Sequence, residues 1–232
     1  MSRLFSLILN TVSSVGISLF LTSSFSASWA QNSVTYYRQQ GLAYRSQKLF
    51  PQAIAALEKS VQLAPQDLNG RIILGWTFHL AGESKQAERS LIQAIYINPF
   101  SVQAFNALGI VYLVRGDLAQ AVGVHNWAAI LKPDNEIAYY NLSLAYQRLG
   151  LWHWAIANAE IAIKLEPDNP HPIMAKAMAV WDQGDRQLAR QIFNQAISLD
   201  GRYADAGFLD YLNEAGFSLS QIDLSKQILS SI

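Results

Sequence analysis

GDLAQAVGVHNWAAILKPDN, residues Gly116–Asn135, is followed 34 residues later by GLWHWAIANAEIAIKLEPDN, residues Gly150–Asn169. The two stretches share a leading glycine, an alanine five residues on and a proline near the end. Beyond them, alanine falls at 53, 87, 121, 155 and 189 and proline at 65, 99, 133 and 167, always 34 residues apart. A fixed period between about twenty and fifty residues marks a stacked architecture, in which each supersecondary unit buries its apolar face against its neighbours. Such an array presents an extended curved surface, and its repeat unit carries no chemistry of its own.

Numbered from Val34, Leu68, Val102, Glu136 and Pro170, the five units align without gaps. Position eight reads Gly41, Gly75, Gly109, Ser143 and Ala177, and position eleven reads Tyr44, Phe78, Tyr112, Tyr146 and Val180. Position twenty is alanine throughout, and position twenty-seven reads Ser60, Ala94, Ala128, Ala162 and Ala196. Two antiparallel helices approach closely only where small side chains meet, and a large neighbour then fills the space beside the crossing. Gly82, Gly116, Gly150 and Gly184 stand at position fifteen, where a left-handed residue ends the first helix. Asp117 and Asp185 follow two of these glycines and are expected to cap second helices. The 34-spaced prolines end the second helices. Pro170 and Pro172 fall in a first turn, where proline is tolerated.

A 34-residue unit with these small, aromatic and proline positions resembles the tetratricopeptide repeat. The resemblance covers 170 of 232 residues and implies an all-α, right-handed α-solenoid of five helix-turn-helix repeats, 34–67, 68–101, 102–135, 136–169 and 170–203. Departures lie in the end units: Gln40 where leucine is usual, Lys48 at the turn glycine and Gly201 in place of the proline. Terminal units are often atypical because they cap the stack. After Tyr203 the register is lost. ADAGFLDYLNEAG and SLSQIDLSKQILSSI read as two capping helices within 204–232, with Ser218 and Gln221 as a capping box. This ending resembles that of cyanobacterial repeat proteins.

Ahead of the repeats, Arg3 is followed by no charged residue until Arg38. A basic start, the apolar run Leu4–Leu21 and small residues before Gln31 describe a secretory signal peptide over 1–30, cleaved after Ala30, with 31–33 as a short linker. The rival reading is an uncleaved membrane anchor, since the run approaches the ~20 residues that span a bilayer. Either way Arg3 stays inside and the repeats face the far side, in a periplasm or thylakoid lumen.

Composition narrows the rest. Hydrophobic residues make up 51% and charged residues 15%, with 17 basic balanced by 17 acidic side chains. No basic stripe supports nucleic-acid binding. Cysteine is absent, which removes disulfides, thiolate chemistry and cysteine-held zinc. His79, His125, His153 and His171 show no metal-binding spacing, and His125 replaces the usual aromatic at position twenty-four as a packed core residue. With no phosphate loop, nucleophile elbow or carboxylate pair, the expectation is a protein without catalytic residues, cofactor or metal.

In the family, first-helix positions two, five, nine, twelve and thirteen line a concave groove. The resemblance therefore implies Arg38, Leu42 and Arg45 in repeat one, and Asn69, Ile72, Trp76 and His79 in repeat two. Repeat three adds Asn106, Ile110, Leu113 and Val114, and repeat four Tyr140, Leu144, Gln147 and Arg148. Repeat five adds Met174, Met178 and Trp181. Trp, Tyr and Arg dominate binding energy when a partner buries them, so a peptide or amphipathic helix is the expected ligand. The alternative is that some of these residues pack against the next repeat or the carboxy-terminal helices. Chaperone-tail receptors of this family use a carboxylate clamp; here Arg38, Leu42, Ile73, Gln103 and Ala107 stand at its positions, and only Arg38 could serve. The chain is therefore not expected to bind chaperone tails.

Second-helix positions nineteen, twenty-six and twenty-nine usually carry outward charges in the family. Here they include Tyr96, Trp127, Ile130, Trp154 and Ile161, a convex set suited to a membrane, a protein or a second copy if it is contiguous. Three functions compete: an exported scaffold for assembling an envelope or thylakoid complex, a membrane-anchored assembly factor of the photosystem or secretion-machine type, and a self-associating structural module.

Overall fold

Small residues at the helix crossings decide how the elements pack. The computed structural model describes residues 32–232, so the expected signal peptide or anchor over 1–30 lies outside the described residues. Helix α1 spans 32–46, so residues 32 and 33, expected in a linker, are already helical. Nine helices follow: α2 Phe50–Leu63, α3 Leu68–Leu80, α4 Ser84–Ile97, α5 Val102–Arg115, α6 Leu118–Leu131, α7 Glu136–Arg148, α8 Trp152–Leu165, α9 Pro170–Gln183 and α10 Arg186–Leu199. Among the described residues there is no strand. Odd-numbered helices are the first helices of the five repeats and even-numbered ones the second. From α2 to α10 each packs on its neighbours in sequence, α1 meets α2 at Gly41 and Leu57, and successive first helices also touch from α3 to α9.

All five position-twenty alanines are fully buried. Position eight faces position twenty-four of its own repeat: a Cβ at Gly41 would sit 2.5 Å from Leu57, at Gly75 2.7 Å from Leu91, and at Gly109 2.4 Å from His125. Real Cβ atoms do not approach that closely, so glycine is what lets these helix pairs close. The turn glycines behave as expected: Gly82, Gly116, Gly150 and Gly184 all have positive φ. Lys48 occupies the same position in repeat one at φ 59, the only described non-glycine residue with positive φ.

The caps divide. Asp185 accepts a hydrogen bond from the Leu188 amide and caps α10, but Asp117 makes no cap bond. Its carboxylate pairs with Arg115 instead, which corrects the sequence expectation. Ser101 caps α5 and Asn169 caps α9.

The carboxy-terminal segment departs further. The chain forms a short 3-10 turn at Gly201–Ala204, and the short helix expected next is a 3-10 helix at Phe208–Ala215. Helix α11, Leu219–Leu229, then starts on the expected capping box of Ser218 and Gln221. It packs on α9 and α10, covering the end of the stack, and its amino-terminal end reaches back to α7.

Candidate functional site

The first helices form the candidate groove, and its two halves differ. In repeats four and five the groove is filled by the chain itself. Tyr140 is buried and its hydroxyl donates to the Ala215 carbonyl at 2.6 Å. The Phe217 ring lies 6.1 Å from the Tyr140 ring and 6.5 Å from that of His171. The Gln221 carboxamide, itself buried, donates to the Leu144 carbonyl at 3.2 Å and to Gln147 Oε1 at 2.8 Å. Gln147 in turn donates to Asp182 at 2.7 Å. Ser225 donates to the Met178 sulfur at 3.4 Å. Leu113, Leu144, Met174, Met178 and Trp181 are all buried, so none of them offers a surface to a partner. Burial raises the Tyr140 hydroxyl well above its ordinary value. The sequence left open that groove residues pack against the carboxy-terminal helices, but it did not name Ala215, Phe217, Gln221 and Ser225 as the occupants. Their only signal was an aromatic and an apolar period after the register ended.

In repeats one to three the groove is open. Leu42, Ile72, Trp76 and Ile110 are half-buried, Asn69 and Val114 are exposed, and the His79 ring lies 4.9 Å from that of Trp76. Burial lowers the His79 imidazole below its ordinary value. Two expected contact residues are already engaged. Arg38 pairs with Asp67, and Asn106 exchanges two hydrogen bonds with Asn135. Both pairs link position five to position thirty-four and staple their own repeat. Arg45 is half-buried and has no carboxylate partner among the described residues. Arg148 donates to the Leu113 carbonyl at 2.6 Å, where the two halves meet. It borders a cleft of about 670 Å³ that also holds Asp182 and Asp223.

Comparison with known proteins agrees with the helical repeat fold. Tetratricopeptide-repeat family models match residues 32–67 and 140–204, at the two ends of the helical array. Those two stretches are tetratricopeptide repeats, and the helical stack they bound is a solenoid of that kind. Among solved structures it is similar to MamA, at 25% identity and TM-score 0.65 over 75% of this chain and 95% of that one. The Pseudomonas aeruginosa PilF structure shares the fold at 18% identity and TM-score 0.67, covering 86% of this chain and 90% of that one. YrrB, described as a tetratricopeptide protein with an unusual peptide-binding site, matches at 15% identity and TM-score 0.58, over 71% and 85%. The BBSome complex member BBS4 of Bos taurus is 24% identical over 59% of this chain, and Superkiller complex protein 3 of Mus musculus 32% over 39%. The chain spans 26% of the first and 6% of the second.

On the convex side of the tetratricopeptide stack the expected apolar set is exposed: Tyr96 82%, Ile130 66%, Trp154 62%, Trp127 57% and Ile161 40%. Trp154 also touches the Tyr146 ring at 6.1 Å. His125 is wholly buried with neither ring nitrogen hydrogen-bonded. Burial pushes its imidazole down to about 3; the Gly109 backbone opposes this slightly but lies outside hydrogen-bonding geometry. Glu136 is pushed up to about 7 by burial and, secondarily, by the charge of Glu166. Among the described residues no three His, Asp or Glu side chains gather as a metal site, and no helix is long and apolar enough to cross a membrane.

Proposed function

We propose that this protein is a non-catalytic interaction scaffold that docks a segment of a partner protein in the open groove of repeats one to three. One observation carries the reading: Leu42, Ile72, Trp76, Ile110 and Val114, at groove positions of repeats one to three, keep part of their apolar surface uncovered by the described residues, beside a half of the same groove that the chain fills itself. Apolar and aromatic surface framed by polar residues is what a partner buries most profitably. The peptide-binding site named for YrrB lends support by likeness of fold. The apolar Leu4–Leu21 run behind Arg3 supports a place on the far side of a membrane, exported or tethered there, in the assembly of an envelope or thylakoid complex.

Crosslinking in the intact cell followed by mass spectrometry tests the reading. Trp76→Ala with Ile110→Ala should abolish the crosslinks formed by the native chain, while Trp154→Ala leaves them in place. Crosslinks that survive the double variant would remove the groove from the function. A second reading rests on the exposed Tyr96, Trp127, Ile130 and Trp154, which suit self-association or a membrane surface. It predicts a dimer in light scattering that Trp127→Ala with Trp154→Ala dissolves.

A further inference from the structure

Of the positions that line the open groove, two carry a charged side chain, Arg38 and Arg45, and both are basic. Helices α1, α3 and α5 contain Arg38, Arg45, Arg71 and Arg115 and not one aspartate or glutamate. Arg38 is paired with Asp67, and Arg115 with Glu88 and Asp117. Arg71 is held by the Pro65 carbonyl and the Gln93 side chain. Among the described residues Arg45 has no such partner, although it is partly withdrawn from water at the repeat-one end of the apolar run, one helical turn from Leu42. An arginine in that position is desolvated without compensation, and an incoming carboxylate supplies the bidentate partner it lacks.

At the other end, the groove continues an interface the chain already makes. A Cβ at Gly216 would lie 3.8 Å from Leu113 and 3.8 Å from Leu144, so the carboxy-terminal segment ends its track against repeat three. An occupant of the open half therefore runs from the edge of that segment, past Ile110 and Trp76, to Arg45. Packed helix axes lie about 8–10 Å apart, so the two steps from α5 to α1 span roughly 16–20 Å. That is the length of a helix of about a dozen residues.

We infer that the open groove takes a short acidic amphipathic helix from a partner protein, its apolar face on Trp76 and Ile110 and a carboxylate at one end on Arg45. This rests on the groove reading above and adds the chemistry of the ligand.

The test measures fluorescence polarisation of labelled helical peptides against the full chain. Three 14-residue probes share leucines at i, i+3, i+4 and i+7 and carry glutamate, glutamine or lysine elsewhere. The acidic probe should bind about tenfold more tightly than the lysine probe at low salt, with the gap shrinking at high salt. Arg45→Gln should erase that preference and leave binding of the glutamine probe unchanged. Arg45→Glu should reverse it.

Equal binding of all three probes, abolished by Trp76→Ala, would overturn the acidic assignment and leave the groove reading standing. Binding insensitive to Trp76→Ala, or no binding at all, would overturn both. Dimerisation of the chain that Arg45→Gln dissolves would assign the groove to a second copy and overturn the inference.

Discussion

His125 stands where Leu57 and Leu91 stand in repeats one and two, opposite a glycine in each case. A leucine thus already fits that environment twice in the same molecule. Replacing His125 by leucine removes two buried ring nitrogens that make no hydrogen bond, and should stabilise the fold at pH 7 by about 1–3 kcal/mol in urea unfolding. The pH dependence follows from the direction of the shift. The folded imidazole sits near 3 and the unfolded one near 6.5, so between those values the unfolded chain takes up a proton that the folded chain refuses. Stability is therefore lost as pH falls from 6.5 towards 3, at up to about 1.4 kcal/mol per pH unit, and His125→Leu should flatten that limb. Lys48 offers a second residue-scale case. It adopts the left-handed backbone that glycine adopts in the other four repeats, which costs a side-chain-bearing residue about 1–2 kcal/mol. Lys48→Gly should raise the melting temperature, because the relieved strain exceeds the cost of glycine's extra unfolded freedom by about 0.5–1 kcal/mol. Both residues were legible in the sequence, because a 34-residue register exposes any position that breaks the column. The diversion of Asp117 to Arg115 was not, since an N-cap and an ion pair draw on the same carboxylate and only geometry decides between them.

At the scale of elements, the register gave each helix, its turn and its small-residue crossing, and then fell silent at Tyr203. The capping box of Ser218 and Gln221 was readable because it is local. What the Gln221 side chain does next was not. Its carboxamide satisfies the Leu144 carbonyl and Gln147 across more than seventy residues of sequence, a contact that no period encodes. Gln221→Ala should leave both groups without that partner in a buried site and cost about 1–3 kcal/mol, read as an earlier urea midpoint. Tyr140 belongs to the same element pair. Its truncation to alanine empties a buried site under Ala215 and Phe217, so loss of partner binding in that variant would reflect lost packing; Trp76 is the residue that reports on the groove.

For the whole molecule, the consequence is a solenoid with a divided concave face. The family pattern placed eighteen groove residues in one continuous strip, because it treats every first helix alike. The carboxy-terminal segment breaks that equivalence: it closes repeats four and five and leaves repeats one to three with a partly exposed apolar floor and an Arg45 that has no carboxylate partner among the described residues. The most direct test of this division is hydrogen exchange of the full chain, alone and with the acidic helical probe. The account predicts added protection in α1, α3 and α5 on binding, with exchange in α7, α9 and residues 215–229 unchanged. Protection gained in α7 and α9 together with protection lost over 215–229 would show that the ligand displaces the carboxy-terminal segment, and would contradict the divided groove.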